Sequence, residues 1–529
     1  IDIESDFNKN LNTNTFNSIS ESLNNDRTLT NDSETNSVAD SDRNQFDNEI
    51  NFSKRFGSKG AFIRAEVTAN FSDNKTDDFV KSETNIYGSN PDQIIRNQYS
   101  DGKTEVKEIG SEFTYRLPIM ANKLFLDVAY AYGNTKTKTK RSTFDFEEAT
   151  NDFTSFSTLL STDFEYLDKT KRPSLELEFR NDKWSASAEI AQVNRTLENV
   201  DFLRPETNLV RDFNNLEYGF GVRFRESRSS RYRLRYRFRN NTPSLSQLQP
   251  FRDESNPLNI VTGNPNLEPT KRHRMYVNFN KFNWQKRTGL YLYVSGGLRN
   301  NQVVSKSVIG NDLVRNTTYE NVDGAYDVWG GGSYSKSIKL DTISSLKLRV
   351  GTRLNINKNI NFFNNTEYGA KTTAISPNVG LTYEWNKVVR IEPSYTISFS
   401  ETNYDLNNFQ NQKFTRHSFR VRTKTNVPKK LEWRNDIRYN FNPNVVGFNQ
   451  SSWFWNSTIA YSILNDKASI TLKAYDLLNQ NTNAQRRATA NYIEDSESTV
   501  LQQYFMLGFS WKFNSLGQKG KIRDYNMHF

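Results

Sequence analysis

Residues 231–239 read Arg-Tyr-Arg-Leu-Arg-Tyr-Arg-Phe-Arg, an unbroken alternation of arginine with large apolar side chains. A two-faced β-strand satisfies it, because successive side chains of a strand point to opposite faces. Tyr232, Leu234, Tyr236 and Phe238 then share one face and the arginines the other. The pattern recurs along the chain. Leu216, Tyr218, Phe220, Val222 and Phe224 alternate with Glu217, Gly219, Gly221 and Arg223, and Phe505, Leu507, Phe509, Trp511 and Phe513 with Met506, Gly508, Ser510 and Lys512. Ala61 to Phe71, Leu124 to Tyr132, Trp184 to Ile190 and Trp453 to Ile463 carry further stripes, as does Val389 to Phe399, where Pro393 costs a ladder bond and predicts a local irregularity. A soluble protein exposing so many stripes would aggregate. A closed barrel in a bilayer pairs every backbone group, lays the apolar face on lipid and turns the polar face to a wet lumen.

Composition excludes the competing classes. Only 35% of the 529 residues are hydrophobic, and no apolar run reaches the length of about twenty residues that a spanning helix needs. An aromatic content of 13%, with 37 Phe and 25 Tyr, is too high for a disordered chain. The absence of cysteine removes disulfide scaffolds and thiolate metal sites. A net charge of +10 raises nucleic-acid binding, but the arginines alternate along strands and do not cluster on a helix, so no nucleic-acid partner is expected.

About twenty amphipathic segments follow one another, and their connections alternate between short and long. Short turns fall near 57–60, 119–122, 181–183, 226–230, 284–287, 386–387, 428–429 and 465–466. Long connections rich in Asn, Asp, Ser and Thr are expected at 25–43, 77–103, 139–155, 199–211, 244–267, 307–321, 359–369, 403–410 and 481–497. Outer-membrane barrels place short turns in the periplasm and long loops outside. The expectation is therefore an all-β chain: a large transmembrane antiparallel β-barrel of about 20–22 strands over residues 1–513, contacting outer-membrane lipid. Residues 514–529 are expected as a periplasmic tail or a last-strand signal, with Tyr525, Met527 and Phe529 at period two.

Two basic sectors are the strongest functional lead. Parity places Arg223, Arg225, Arg231, Arg233, Arg235, Arg237, Arg239, Arg272 and Arg274 on the lumen face of consecutive strands. Arg416, Arg420, Arg422 and Lys424 form a second sector beside Glu432, Arg434, Asp436 and Arg438. Guanidinium groups this dense repel one another unless anions are near. Carboxylates across strands, carboxylates of a plug, and an anionic ligand are the candidates, since charged rings set the sign of what a wide pore passes. Asp40, Asp42 and Asn44 have the alternate spacing of a calcium loop, without the glycine and bidentate glutamate that complete one, and are a weak metal candidate. His273 and His417 fall on the lipid-facing parity, and GxSxG, HExxH, P-loop and GxGxxG patterns are missing. No enzymatic activity and no cofactor are expected.

Thr262 to Pro269, TGNPNLEP, followed by Thr270-Lys271-Arg272-His273, resembles a signature in the barrel half of TonB-dependent outer-membrane receptors. Taken alone, it also reads as a tight extracellular turn where the chain re-enters a strand. Leu472 to Asn481, Asn491 to Ile493 and Tyr504 to Phe513 resemble the outer-membrane β-barrel family of Bacteroidota, a TonB-receptor-like group. The resemblance implies a barrel of about twenty-two strands, an N-terminal plug upstream of Ile1, and energy-coupled import of a nutrient or metal complex through a TonB partner. Neither a plug nor a TonB box is visible in these residues. The alternative is a non-transporting subunit that scaffolds surface lipoproteins or other barrels; a passive porin, with fewer strands and a constricting loop, comes third.

Overall fold

The computed structural model describes residues 1–511 except 25, 88–90, 311–313, 408, 445–449, 466, 481–484, 489–492 and 497–499. Phe513, the 514–529 tail and His528 lie outside the described residues. One antiparallel sheet of 21 strands dominates. All but one of its strands follow one another in a meander, and the exception, Asp152–Phe156, pairs only with the end of the fifth.

The barrel strands are numbered in order; shorter strands are named by their residues. The first are β1 (Asp2–Leu23), β2 (Leu29–Phe56), β3 (Ala61–Ile86), β4 (Asp92–Met120) and β5 (Leu124–Glu147). Next come β6 (Thr162–Arg180), β7 (Trp184–Asp201), β8 (Leu209–Ser227), β9 (Ser230–Asn241), β10 (Thr270–Asn283) and β11 (Thr288–Asn300). Then follow β12 (Ala325–Lys339), β13 (Ser344–Phe363), β14 (Thr366–Trp385), β15 (Val389–Tyr404) and β16 (Gln412–Thr425). The last are β17 (Leu431–Phe441), β18 (Ser451–Ile463), β19 (Ala468–Tyr475) and β20 (Tyr504–Trp511). Each pairs with its neighbours in sequence. Among the described residues no ladder joins β1 to β20, so the expected closure of the ring is not seen there.

The stripes read from the sequence align across the ladders. Ile190 lies opposite Tyr218, and Ala188 opposite Phe220. Near the short turns Trp184, Phe224, Tyr232 and Phe279 form a row of ring contacts, with successive centroids 4.4, 5.9 and 4.6 Å apart. Such a row is an interfacial girdle. His273 and His417 sit on this outward face, as their parity predicts. Each places Nδ1 against a neighbouring tyrosine hydroxyl, Tyr236 at 2.8 Å and Tyr395 at 2.7 Å, which satisfies a polar ring in apolar surroundings. The β14–β15 ladder skips Pro393 without a change of register, the irregularity expected there.

The apolar stripe of β3 ends at Phe71, opposite Phe46 of β2, and Ile109 of β4 faces the adjacent Ala69. From the short turns to that level is about eleven residues, or roughly 25 Å at the usual rise and tilt, the height of a lipid-facing band. Beyond it the same face turns charged: Asp42, Lys75, Lys103 and Lys136 continue the outward parity.

Here the expected long loops are corrected. Residues 29–43, most of 77–103, 139–147 and most of 359–369 are strand, joined by tight hairpins. A ladder whose two faces are both wet requires no apolar alternation, so its composition imitates a loop. The eight expected short turns all fall between strands.

The 244–267 connection is a loop, and it folds inward. It carries a short helix, α1 (Leu245–Leu248), and the strands Arg252–Asp253 and Asn259–Thr262. The latter pairs in parallel with Arg315–Val322, whose hairpin partner is Gln302–Ile309. Leu248 and Leu267, almost fully buried, pack on Leu197 of β7 and Phe213 of β8, which lie on the lumen parity. A small apolar core thus sits inside the mouth.

Candidate functional site

Register brings the first basic sector together. Arg225 faces Arg231 and Arg223 faces Arg233 across β8 and β9. On the other side of β9, Arg237 faces Arg274 and Arg239 faces Arg272. Like charges directly opposite one another destabilise a sheet. Two members are relieved: Arg239 contacts Glu189 at 3.1 Å and Glu217 at 3.0 Å, and Arg274 lies 3.7 Å from Asp327. Arg272 makes no ion pair among the described residues, and its Nε is buried without a partner. Arg223, Arg225, Arg231, Arg233, Arg235 and Arg237 are exposed on the wall, and none pairs with a carboxylate among the described residues. Gly219 and Gly221 stand opposite Arg237 and Arg235, so no side chain there competes for the space over the strand.

The second sector is neutralised within the sheet. The Asp436 carboxylate accepts from Arg420 Nε at 2.7 Å and Nη2 at 2.5 Å, and from Arg438 at 3.0 Å. Glu432 takes Lys424 at 2.7 Å and also Arg434. Arg422 reaches Glu392 at 3.3 Å. Of the members read from the sequence, only Arg416 makes no ion pair among the described residues. Glu392 escaped the sequence reading, although the outward parity of Pro393 already implied that its neighbour faces in.

A third, mixed sector also escaped it. The Arg116 guanidinium is bidentate to Asp127 at 2.7 and 2.5 Å and touches Glu178 at 2.6 Å, while Arg172 binds Glu189 and Arg195 binds Asp168. These groups lie on the lumen parity of β4 to β7, where charges alternate with apolar residues less regularly than along β9.

The sequence matches the profile of the outer membrane protein beta-barrel family over residues 54–511. The chain belongs to that family. As such it is an outer-membrane protein that crosses with strands; among the described residues no helix is long and apolar enough to cross a membrane. No curated protein sequence matches it. Among solved structures it is similar to the copper transporter OprC, with 9% identity over 97% of this chain and 80% of that one, at a TM-score of 0.48. The ferric citrate transporter FecA in its unliganded form shares 10% over 90% and 70%, at 0.46. The FrpB iron transporter from Neisseria meningitidis (F3-3 variant) shares 10% over 97% and 81%, at 0.41.

In this family barrel TGNPNLEP is a structural lock. A Cβ on Gly263 would lie 2.2 Å from the Gln249 carbonyl oxygen, so only glycine allows the two backbones to approach. The Asn264 amide donates to Tyr319 O at 2.9 Å and its side-chain oxygen accepts from Asn266 N at 3.0 Å. Arg211 donates to Pro265 O at 2.7 Å and Leu267 O at 3.2 Å. The motif therefore holds the infolded loop to β8 and to the Arg315–Val322 strand. Asp40, Asp42 and Asn44 lie on β2 and not in a loop, at alternate positions roughly 7 Å apart, where they do not converge on one ion. Asp40 instead accepts from Thr13 at 2.5 Å, and Asp42 faces Lys9 at 3.7 Å.

Proposed function

We propose that this barrel is the wall of a TonB-dependent-receptor-like importer that carries an anionic nutrient or metal complex past a plug. The observation that carries the reading is the row of lumen arginines on β8 and β9 without an ion pair among the described residues, in a family barrel whose second basic sector is neutralised. An electropositive wall lowers the free energy of an anion in the bore and attracts it from outside. Carboxylates of an upstream plug are the other partners this wall would accept. The reading includes no catalytic step and no cofactor.

One observation favours the second reading, a scaffold within an outer-membrane complex. The infolded loop with its buried Leu248 and Leu267 fills part of the mouth and offers a folded rim for a surface lipoprotein or another barrel. The test is growth of a gene-deleted strain on single carbon, iron and copper sources, with affinity purification of the tagged protein from native outer membranes. A source-specific growth defect with TonB in the eluate supports import. Normal growth on every source, with other barrels and no TonB recovered, overturns it in favour of the scaffold.

A further inference from the structure

We infer that the inner wall beside the short turns holds a binding site for a small polyanion built on a planar ring. A cavity of about 720 Å³ lies there, within the range of small-molecule sites. Its charged lining residues are Arg228, Arg231, Lys281, Arg349 and Arg353, and no carboxylate lines it among the described residues. None of the five makes an ion pair among the described residues.

Register explains how residues so distant in sequence share one site. Arg231 faces Asn280, which faces Tyr291, then Ser333, Gly351 and Asn378, one continuous row of ladder partners across β9 to β14. Arg349 and Arg353 flank Gly351 on the same face of β13, since alternate residues of a strand share a face. The centre of the row is small, with Ser333, Gly331 and Gly351 forming a floor. At Gly331 a Cβ would lie 2.6 Å from the Thr352 carbonyl oxygen and 3.0 Å from the Tyr293 hydroxyl, so only glycine lets the Tyr293 ring lie down against the wall there. Cations thus stand at both ends of a shallow bed. Tyr291 and Tyr293 lie along it with ring centroids 5.4 Å apart, and Tyr291 is 39% exposed.

This arrangement selects its ligand. Guanidinium forks at both ends favour two or more carboxylate or phosphate groups held apart on one body. The tyrosine rings favour a flat body that lies against them. The limited size of the cavity suits a compact molecule better than an extended acidic peptide, which would need a groove running past the turns. The paired sector on β16 and β17 offers no such site, because its carboxylates already occupy the guanidinium groups.

The site is tested on the purified full chain in detergent by calorimetric titration with benzenetetracarboxylate, inorganic pyrophosphate and a hexaglutamate peptide. Saturable binding of benzenetetracarboxylate is expected, weakened about tenfold or more by R349Q with R353Q and weakened less by the lysine pair, which keeps the charge and loses the fork. Tyr291→Leu should weaken the ring probe and leave pyrophosphate unchanged, and Arg422→Gln should change neither. Heat-modified electrophoretic mobility confirms that each variant is folded. Absence of saturable binding to the folded wild type, or binding indifferent to the glutamine pair, overturns the site. Tighter binding of hexaglutamate than of either small anion overturns it too and assigns the surface to a protein segment. The site does not depend on transport: binding without any nutrient phenotype would sink import alone, and a nutrient phenotype without binding would sink the site alone.

Discussion

The β8–β9 wall and the β16–β17 wall use the same device, arginine repeated at alternate, inward-facing residues, and arrive at opposite electrostatic states. On β16 the facing strands supply Glu392, Glu432 and Asp436, so among the described residues each guanidinium but that of Arg416 finds an anion. On β9 the facing strands supply more arginine, two glycines, Asn278, Asn280 and Tyr276, and a carboxylate, Glu217, only for Arg239. Arginine density on one strand therefore says little about charge; the residue opposite decides it. A paired guanidinium stabilises the sheet, whereas an unpaired one leaves it strained and receptive.

The contrast can be broken by exchanging partners. Asp436→Asn leaves Arg420 and Arg438 without their shared carboxylate and should cost ~2 kcal/mol in denaturant unfolding from detergent, the scale of hydrogen bonds to charged groups. The reverse change belongs to the unpaired wall: Arg223→Glu, directly opposite Arg233, should gain about 0.5–1 kcal/mol in the same assay. If both substitutions move stability in the same direction, the two walls do not differ as argued. Milder still, Arg235→Gln should stabilise by roughly 0.3 kcal/mol at low salt, a difference that vanishes near 1 M salt, where exposed charges are screened.

The smallest effect lies outside both walls and serves as their control. In the turn between β12 and β13, Asp341 accepts from the Ser344 hydroxyl at 2.5 Å and from the backbone N–H groups of Ile343 and Ser344, both at 2.7 Å. These bonds, the Ser344 hydroxyl first, hold its carboxyl below the usual range. A lowered folded-state value contributes stability above the unfolded value and loses it as pH falls through about 4 and below. Asp341→Asn should therefore flatten the acid limb of the melting curve slightly and leave the neutral-pH wall contrast intact.

Much of this was legible in the sequence, for identifiable reasons. Outward stripes and short turns could be read because lipid demands an apolar side chain at every second position and a two-strand turn demands Gly, Asn or Asp. The extensions of β2 to β5 could not, since with water on both faces Asp40, Asp42 and Asn44 look like loop residues. Glu432 and Asp436 were visible beside their arginines, but Glu392 is separated from Arg422 by a whole hairpin. The polyanion bed was hidden for the same reason. Its row draws on six strands, and only the register reveals that Arg231 and Gly351 belong to one row of ladder partners.

The uneven strand lengths have a geometric consequence. β2 to β4 run 26 to 29 residues, whereas β16 to β19 run 8 to 14. With a lipid band of about eleven residues common to all, the β2 to β4 wall stands roughly 40 Å taller than the membrane surface, at the ordinary rise and tilt, and the β16 to β19 wall is a low sill. The mouth is cut obliquely, like an organ pipe. A solute drifting along the cell surface from the low side meets an open threshold, while one from the tall side meets a charged parapet first.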